Sequence, residues 1–139
     1  MKSQPNYKII KKEQKGKSFN RIKSFYSLKK LTFGSVALIS QESGRLTSKQ
    51  LSCFYQSVNK AIKKSGRIFL LVFPHTPITK KPLEVRMGKG KGAINHWVAK
   101  IKVGTIICEI QSSSQALSKL ALYKAKYKLP LLSKIIVTF

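Results

Sequence analysis

The sequence predicts an α+β fold in which a mainly antiparallel sheet carries two helices packed on one face, with a basic N-terminal arm outside it. Two segments combine helical periodicity with helix-capping residues, and several short apolar segments have the composition of β-strands. Strands and helices do not alternate as they do in parallel βαβ folds. The chain has 139 residues, 42% of them hydrophobic, which is the size and composition of one domain with a single core.

The first strand is expected at 35–41, followed by a turn at 42–44. The first helix begins after Thr47, because Thr47 and Gln50 have the spacing of a capping box, and Gly66 is its expected C-cap. Its predicted inward residues are Leu51, Phe54, Val58, Ala61 and Ile62.

A buried strand is expected at 67–73, then a proline-containing loop at 74–82 and a short strand at 83–87. Residues 96–102 alternate in polarity and are expected to form a hairpin with 106–111.

The serine run at 112–114 offers an N-cap for the second helix, and Pro130 stops that helix. Its predicted inward residues are Leu117, Leu120, Ala121 and Ala125. A final strand is expected at 135–137.

These elements divide the chain into a basic RNA-binding extension at 1–32 and a single α+β domain at 33–139 with a Gly/Lys loop at 74–95. Cations and aromatic residues are interleaved in the extension, which is typical of segments that become ordered on RNA. A solvated tail is the alternative interpretation. The candidate contacts in the extension are Lys8, Lys11, Lys12, Lys15, Lys17, Arg21 and Lys23.

The charge balance indicates a polyanionic partner. The chain has 28 Lys+Arg against 4 Asp+Glu, a formal net charge of +24. Self-repulsion at this charge density opposes a compact fold unless a polyanion such as nucleic acid neutralises it. There is no aspartate, and the only carboxylates and imidazoles are Glu13, Glu42, Glu84, Glu109, His75 and His96. Carboxylate-metal sites, aspartyl dyads and Ser-His-Asp triads therefore lack their parts, and no acid–base role is expected for either histidine.

No cofactor, structural metal or membrane insertion is expected. Cys53 and Cys108 are far apart and outside any CxxC pair, so they cannot supply a four-ligand zinc site. Both lie on apolar stripes and are expected to be core thiols rather than a disulfide. The longest apolar run, at 68–73, is far shorter than the roughly 20 residues that span a bilayer, and no secretory signal is visible.

The glycine–lysine run at 88–92 has the composition of a phosphate contact. It lacks the Ser or Thr of a P-loop and the helix that follows a dinucleotide-binding turn. Its glycines remove side-chain bulk and its lysines add charge, so the backbone can approach phosphate closely. A mobile hairpin loop with solvated lysines is the alternative.

Three stretches carry a resemblance to a known family. They are Pro77-Ile78-Thr79, then the segment at 81–92 with the sequence KPLEVRMGKGKG, and Trp97-Val98-Ala99. Together they resemble bacterial-type large-subunit ribosomal protein L16. The resemblance covers nearly the whole chain and is loosest at 18–32.

The resemblance implies an α/β sandwich that binds large-subunit rRNA, organises RNA helices late in subunit assembly and catalyses no bond-making. It also implies that the loop at 86–92 reaches towards the aminoacyl-tRNA site near the peptidyl-transferase centre. The candidate rRNA and tRNA contacts in the loop are Lys80, Lys81, Arg86, Met87, Gly88, Lys89, Gly90, Lys91 and Gly92, and Arg45 is a further rRNA candidate.

The chain departs from the family pattern at several positions. Tyr55 and Gln56 replace the usual arginine pair, and Ala37, Ile39 and Ser43 stand where the family often has glycine, a cation and arginine. Phosphate contacts at Tyr55, Gln56, Ile39 and Ser43 are therefore in doubt.

Individual residues of the loop region have competing interpretations. Arg86 is the leading phosphate or base contact, since its planar guanidinium can bind in a bidentate manner, and an ion pair with Glu84 is the alternative. Met87 is expected to pack at the base of the loop. Trp97 is expected to pack in the core rather than stack on a base.

The sequence therefore predicts a structural constituent of the large ribosomal subunit, not an enzyme. The expected partners are large-subunit rRNA, A-site tRNA and neighbouring ribosomal proteins, with no homo-oligomer. A small RNA-processing or RNA-modifying enzyme and a general nucleoid-type binder are the alternatives. The excess of lysine over arginine suggests A/T-rich coding, and so a mitochondrial ribosome in the matrix, with a plastid or a bacterial cytoplasm as alternatives.

Overall fold

The computed structural model describes residues 4–5, 12–14 and 31–137. Its elements in chain order are β1 (Val36–Ser40), β2 (Gly44–Thr47), α1 (Ser48–Ile62), β3 (Gly66–Leu70), β4 (Thr76–Lys80), β5 (Ala93–Ile101), β6 (Ile106–Ser112), α2 (Gln115–Lys126) and β7 (Ser133–Val137). All described strand pairs are antiparallel, so the predicted α+β class is confirmed.

The strands form two sheets. The four-stranded sheet has the order β3-β6-β1-β7, and the three-stranded sheet has the order β2-β5-β4. In the larger sheet, the first residue of β1, Val36, lies opposite the last residue of β7, Val137. The two helices pack against each other, and both also contact strands of the larger sheet.

The hairpin predicted between 96–102 and 106–111 is wrong, because β5 and β6 belong to different sheets. The turn between them bonds to the end of β1 instead. The Gly104 N–H donates to the Ser40 carbonyl at 2.8 Å, and the Ser40 N–H donates to the Thr105 carbonyl at 3.0 Å. The chain thus turns a corner from one sheet into the other, and both edges of β6 are free to pair with β1 and β3.

The start of α1 is confirmed and its predicted end is wrong. The Gln50 N–H donates to Thr47 Oγ1 at 3.3 Å and the Thr47 N–H donates to Gln50 Oε1 at 2.9 Å, which completes the capping box. The C-cap is Lys63, whose N–H donates to the Asn59 carbonyl. Gly66 instead opens β3, where a Cβ would lie 2.6 Å from the Gln111 carbonyl oxygen.

The second helix is capped by Ser114, one of the predicted serines, and ends at Lys126, before Pro130. Its buried residues are Ser118, Ala121, Leu122 and Ala125. Leu120 was predicted to face inward but is 50% exposed, because the buried stripe passes through Leu122 instead.

Three predictions between α1 and β5 are wrong. The strand expected to be buried at 67–73 is β3, a half-buried edge strand whose only described neighbour is β6. The loop expected at 74–82 contains β4, which pairs with β5 across the loop that joins them. The strand expected at 83–87 does not form, because these residues make an exposed turn in which the Val85 N–H donates to the Pro82 carbonyl.

The core lies between the helices and the sheets. Its buried members include Leu38, Leu51, Phe54, Ile110 and Leu122. Both cysteines are free thiols; Cys108 is buried as predicted, whereas Cys53 lies on the exposed side of α1. Burial raises the pKa of the Cys108 thiol to about 12, and the neighbouring Glu109 carboxylate adds to the shift.

One carboxylate is completely buried. Glu109, on the central strand β6, is 0% exposed. Its Oε2 accepts hydrogen bonds from the backbone N–H groups of Thr32 at 3.2 Å, Phe33 at 2.6 Å and Gly34 at 3.1 Å. The Phe33 ring also stacks on Phe69, with 5.1 Å between centroids. The segment that joins the basic extension to β1 is therefore fixed to the larger sheet.

Candidate nucleic-acid interface

The Gly/Lys loop was expected at 74–95. In the structure, β4 and β5 occupy the two ends of that range, and the loop that joins them is residues 81–92, which extend into solvent. The name Gly/Lys loop is used below for residues 81–92. Residues 82–91 are all exposed. Met87 is 99% exposed, so the prediction that it packs at the loop base is wrong. The turn at 82–85 replaces the expected strand and leaves Met87 away from the sheet.

The tip of the loop has an unusual backbone. Gly88, Lys89 and Gly90 are consecutive and have φ values of 101°, 52° and 82°. Glycine adopts positive φ values readily, whereas for Lys89 this conformation is sterically unfavourable because of its Cβ. The Lys81 ammonium donates a hydrogen bond to the Gly88 carbonyl and so stabilises this conformation. A Cβ at position 88 or 90 would meet nothing within 4 Å, so the backbone at the tip is open to a ligand.

A short piece of the basic extension lies against the end of the loop. Lys12 Nζ donates to the Lys91 carbonyl at 2.9 Å, and Lys91 Nζ donates to the Glu13 carbonyl. The Glu13 carboxylate lies 3.9 Å from Lys100 Nζ on β5. The structure thus brings together Lys12 and Lys91, which the sequence predicted separately. Glu13 was missed, since one carboxylate in a basic segment forms no recognisable motif.

Arg45 lies on β2, opposite Lys100 on β5. It lines a cavity of about 250 Å³ that also receives Lys91, Glu13 and Gln14. The rest of the lining comes from Thr76, Pro77, Ile78, Thr79 and Val98. The predicted contacts Arg45 and Lys91 therefore belong to one surface, which includes the loop and the smaller sheet.

The loop surface is suited to bind an anion. Lys80, Arg86 and Lys89 are exposed and Lys81 is half-buried, while Glu84 is the loop's only carboxylate. No ion pair joins Arg86 to Glu84 in the described part of the chain. The Arg86 guanidinium is therefore not paired with Glu84, and can bind phosphate in a bidentate manner.

The remaining sequence-predicted residues are placed as follows. The extension residues Lys8, Lys11, Lys15, Lys17, Arg21 and Lys23 lie outside the described residues. Trp97 is 8% exposed, so its predicted burial is confirmed. Of the positions where a family phosphate contact is in doubt, Ile39 is 4% exposed, which leaves no surface there for phosphate.

Sequence reasoning missed a second basic surface on α2. Tyr123 and Tyr127 are both exposed, and Lys126 Nζ lies over both rings. The spacing of the two tyrosines is visible in the sequence, because positions four apart share a helix face, but the spacing does not show that this face is left uncovered.

Over residues 4–5, 12–14 and 31–137, no cluster of three or more His, Cys, Asp or Glu side chains could hold a metal ion. No described helix is long and apolar enough to cross a membrane.

Comparison with known proteins gives consistent matches. The sequence model of the family described as ribosomal protein L16p/L10e matches residues 5–136. The chain is 42% identical over 128 residues to the large ribosomal subunit protein uL16 of Thioalkalivibrio sulfidiphilus, covering 92% of this chain and 91% of that one. It is 44% identical over 128 residues to uL16 of Wigglesworthia glossinidia brevipalpis, with the same coverage. Identity to uL16 of Cereibacter sphaeroides is 37% over 134 residues, 96% of each chain.

Proposed function

Since the chain belongs to the ribosomal protein L16p/L10e family, we propose that it binds large-subunit rRNA and helps to position aminoacyl-tRNA near the peptidyl-transferase centre. As a member of this family it is a structural protein of the large ribosomal subunit and not an enzyme. The relatives are named as large-subunit proteins, which argues against the RNA-processing alternative.

The observation that carries the proposal is the Gly/Lys loop. Its tip is exposed, its backbone has consecutive positive φ values, and its cations have few carboxylates nearby. A phosphate can reach the main chain there while the lysine and arginine side chains neutralise its charge. The contacts of Lys12 and Glu13 with Lys91 support a continuous surface formed by the loop and this short piece of the extension.

Binding to large-subunit rRNA tests the first part. Replacing Lys89 with Gln should weaken binding severalfold at fixed salt, since it removes one exposed cation from the tip. Lys60→Gln, on the exposed end of α1, is the matched control with the same change of charge and should bind like the wild-type chain. Equal affinities for the two variants would contradict a role for the loop.

The tRNA role is tested with Arg86→Ala. Subunits reconstituted with this variant should assemble, yet bind aminoacyl-tRNA in the A site more weakly than subunits with the wild-type protein. A variant that assembles and retains full A-site affinity would limit the loop to an rRNA role.

We further propose that the protein works in a mitochondrial ribosome, with a plastid or bacterial ribosome as alternatives. The coding bias supports this, since Arg21, Arg45, Arg67 and Arg86 are the only arginines among 28 Lys+Arg. Sedimentation of lysate from purified mitochondria should place the chain, identified by mass spectrometry, with the large subunit after a high-salt wash. Its absence from mitochondria would overturn this assignment.

A further inference from the structure

The outward side of α2 carries large side chains that the fold leaves uncovered. Leu120 and Tyr123 are each 50% exposed and Tyr127 is 68% exposed, whereas Ala121 and Ala125 are fully buried. Positions 120, 123 and 127 lie on one side of the helix, since residues three and four apart are neighbours. We call these three residues the α2 aromatic face.

The two tyrosine rings have a defined arrangement. Their centroids are 5.6 Å apart with an interplanar angle of 87°, and the Tyr127 hydroxyl donates to the Tyr123 hydroxyl at 3.1 Å. This hydrogen bond raises the pKa of Tyr127 above its usual value. The two rings are thus held on the surface by contacts with each other.

Two lysines lie beside these rings. Lys126 Nζ lies 4.4 Å from the Tyr123 centroid and 5.2 Å from the Tyr127 centroid. Lys119 lines a shallow hollow together with Leu120, Tyr123 and two residues of the edge strand β7, Ile135 and Val137. Neither α2 nor β7 contains a carboxylate, and the Glu42 carboxylate accepts a hydrogen bond from the N–H of Leu132, the residue before β7.

We propose that the α2 aromatic face, with Lys119 and Lys126, is a second rRNA contact that receives an unpaired nucleotide. A nucleotide matches both properties of the surface, because its base has a flat π-face for a tyrosine ring and its phosphate pairs with the neighbouring ammonium groups. An apolar protein segment would match the rings but would leave the lysines unpaired. The proposal rests on the rRNA-binding function proposed above.

The new surface is separate from the Gly/Lys loop. The helix α2 packs on α1 and on strands of the four-stranded sheet, whereas the loop extends from β4 and β5 of the three-stranded sheet. Two separate surfaces allow one small protein to bridge two segments of folded RNA. Their contributions to binding can therefore be removed one at a time.

A pair of double variants tests the role of the rings. Tyr123→Leu with Tyr127→Leu keeps apolar surface but removes both aromatic faces, whereas Tyr123→Phe with Tyr127→Phe keeps the rings and removes only the hydroxyl pair. Against deproteinised large-subunit rRNA at fixed salt, the leucine variant should bind at least about fivefold more weakly, as loss of one stacked base implies. The phenylalanine variant should bind like the wild-type chain. Equal binding by the leucine variant would overturn the proposal.

Photo-cross-linking of the assembled subunit provides a second measurement that does not depend on a variant. A peptide containing Tyr123 and Tyr127 should carry an RNA adduct after irradiation. A cross-link from this peptide to another protein, with none to RNA, would overturn the proposal in favour of a protein partner. If the leucine variant alone is normal, only this inference fails. If the wild-type chain does not bind rRNA at all, the proposed function fails with it.

Discussion

At the scale of single residues, Glu109 combines two costly features, complete burial and negative charge. Its carboxylate accepts three consecutive backbone N–H groups at 32–34 in place of water. Hydrogen bonds to an ionised acceptor offset the cost of removing the charge from solvent. The residue therefore fixes residues 32–34, where the basic extension meets β1, to the larger sheet, while most other charged side chains among the described residues are exposed.

Replacing Glu109 with Gln should lower the free energy of unfolding by about 2 kcal/mol, since an amide accepts these N–H groups less strongly and adds donors that have no acceptor. Urea denaturation followed by circular dichroism measures the change. Glu84→Gln, in the exposed loop, makes the same change in net charge and should leave stability unaltered. If both variants unfold at the same urea concentration, the anchoring role is refuted.

The two cysteines should react very differently. Cys53 is exposed, whereas Cys108 is buried with its pKa raised to about 12. Iodoacetamide should therefore modify the folded protein once, at Cys53, between about pH 7 and 10, because alkylation requires an accessible thiolate. Mass spectrometry counts the adducts, and a second should appear only when urea unfolds the chain. Rapid labelling of Cys108 in the folded protein would contradict its burial.

The same shift affects stability at high pH. Folding keeps the Cys108 thiol neutral, so its stabilising contribution is complete below the ordinary pKa of 9.0. The contribution is lost as the pH rises from there towards about 12, since the unfolded thiol ionises first.

At the scale of elements, the hairpin of β4 and β5 uses its glycines in two ways. Gly92 lies where the strands meet, and a Cβ there would be 2.6 Å from the Lys80 carbonyl oxygen. Gly90 lies at the tip with a positive φ and open space around it. Gly92 permits a close approach of two backbones, and Gly90 permits a backbone conformation with positive φ.

Gly92→Ala should destabilise the protein by about 2 kcal/mol, because the backbones of β4 and β5 must separate to admit the methyl group. Gly90→Ala should cost less than about 1 kcal/mol, since the exposed loop can change shape to avoid the strain. Thermal unfolding compares the two. The two variants should rank the other way in rRNA affinity. When both are measured as folded protein, Gly90→Ala should bind rRNA more weakly than Gly92→Ala. Identical melting temperatures would contradict this division of roles.

Local signals predicted the elements better than their partners. The capping box at Thr47 and the serine N-cap at Ser114 depend on neighbouring residues and were predicted correctly. The pairing of β5 was not, because the bonds of Gly104 and Thr105 with Ser40 join residues far apart in sequence. The edge position of β3 was also missed, because it depends on contacts between residues far apart in sequence. The apolar composition of a strand does not show how many neighbouring strands that strand has.

At the scale of the whole molecule, the net charge of +24 governs both solubility and binding. The carboxylates are too few to neutralise the cations within the fold. Most of the affinity for RNA should therefore come from release of counterions, which makes it strongly dependent on salt.

The equilibrium constant for rRNA binding should fall steeply between about 50 and 200 mM salt, with a log-log slope of roughly 0.7 to 0.9 for each phosphate contacted. Filter binding over a salt series measures the slope. The Lys89→Gln variant should reduce it by about one contact, and Lys60→Gln should not. An affinity that does not vary with salt would contradict a phosphate-dominated interface.

The candidate site was predictable where its residues are contiguous and not where they converge from different segments. The glycine–lysine run at 88–92 is visible in the sequence as one motif. The contact of Glu13 with Lys91, and the cavity that Arg45 shares with them, depend on how β2, β5 and the extension are arranged in space. The α2 aromatic face required knowledge of which side of the helix is covered.

The register of β1 and β7 has a practical consequence. Val36 and Val137 are direct neighbours in an antiparallel pair, so their Cα atoms lie only about 5 Å apart. A fluorophore attached just after Val137 would therefore lie close to the start of β1, a few residues after the basic extension ends. Energy transfer from that fluorophore to a dye placed within the first 30 residues would report the reach of the extension directly. The end of the last strand is thus a fixed reference point from which to follow the extension during ribosome assembly.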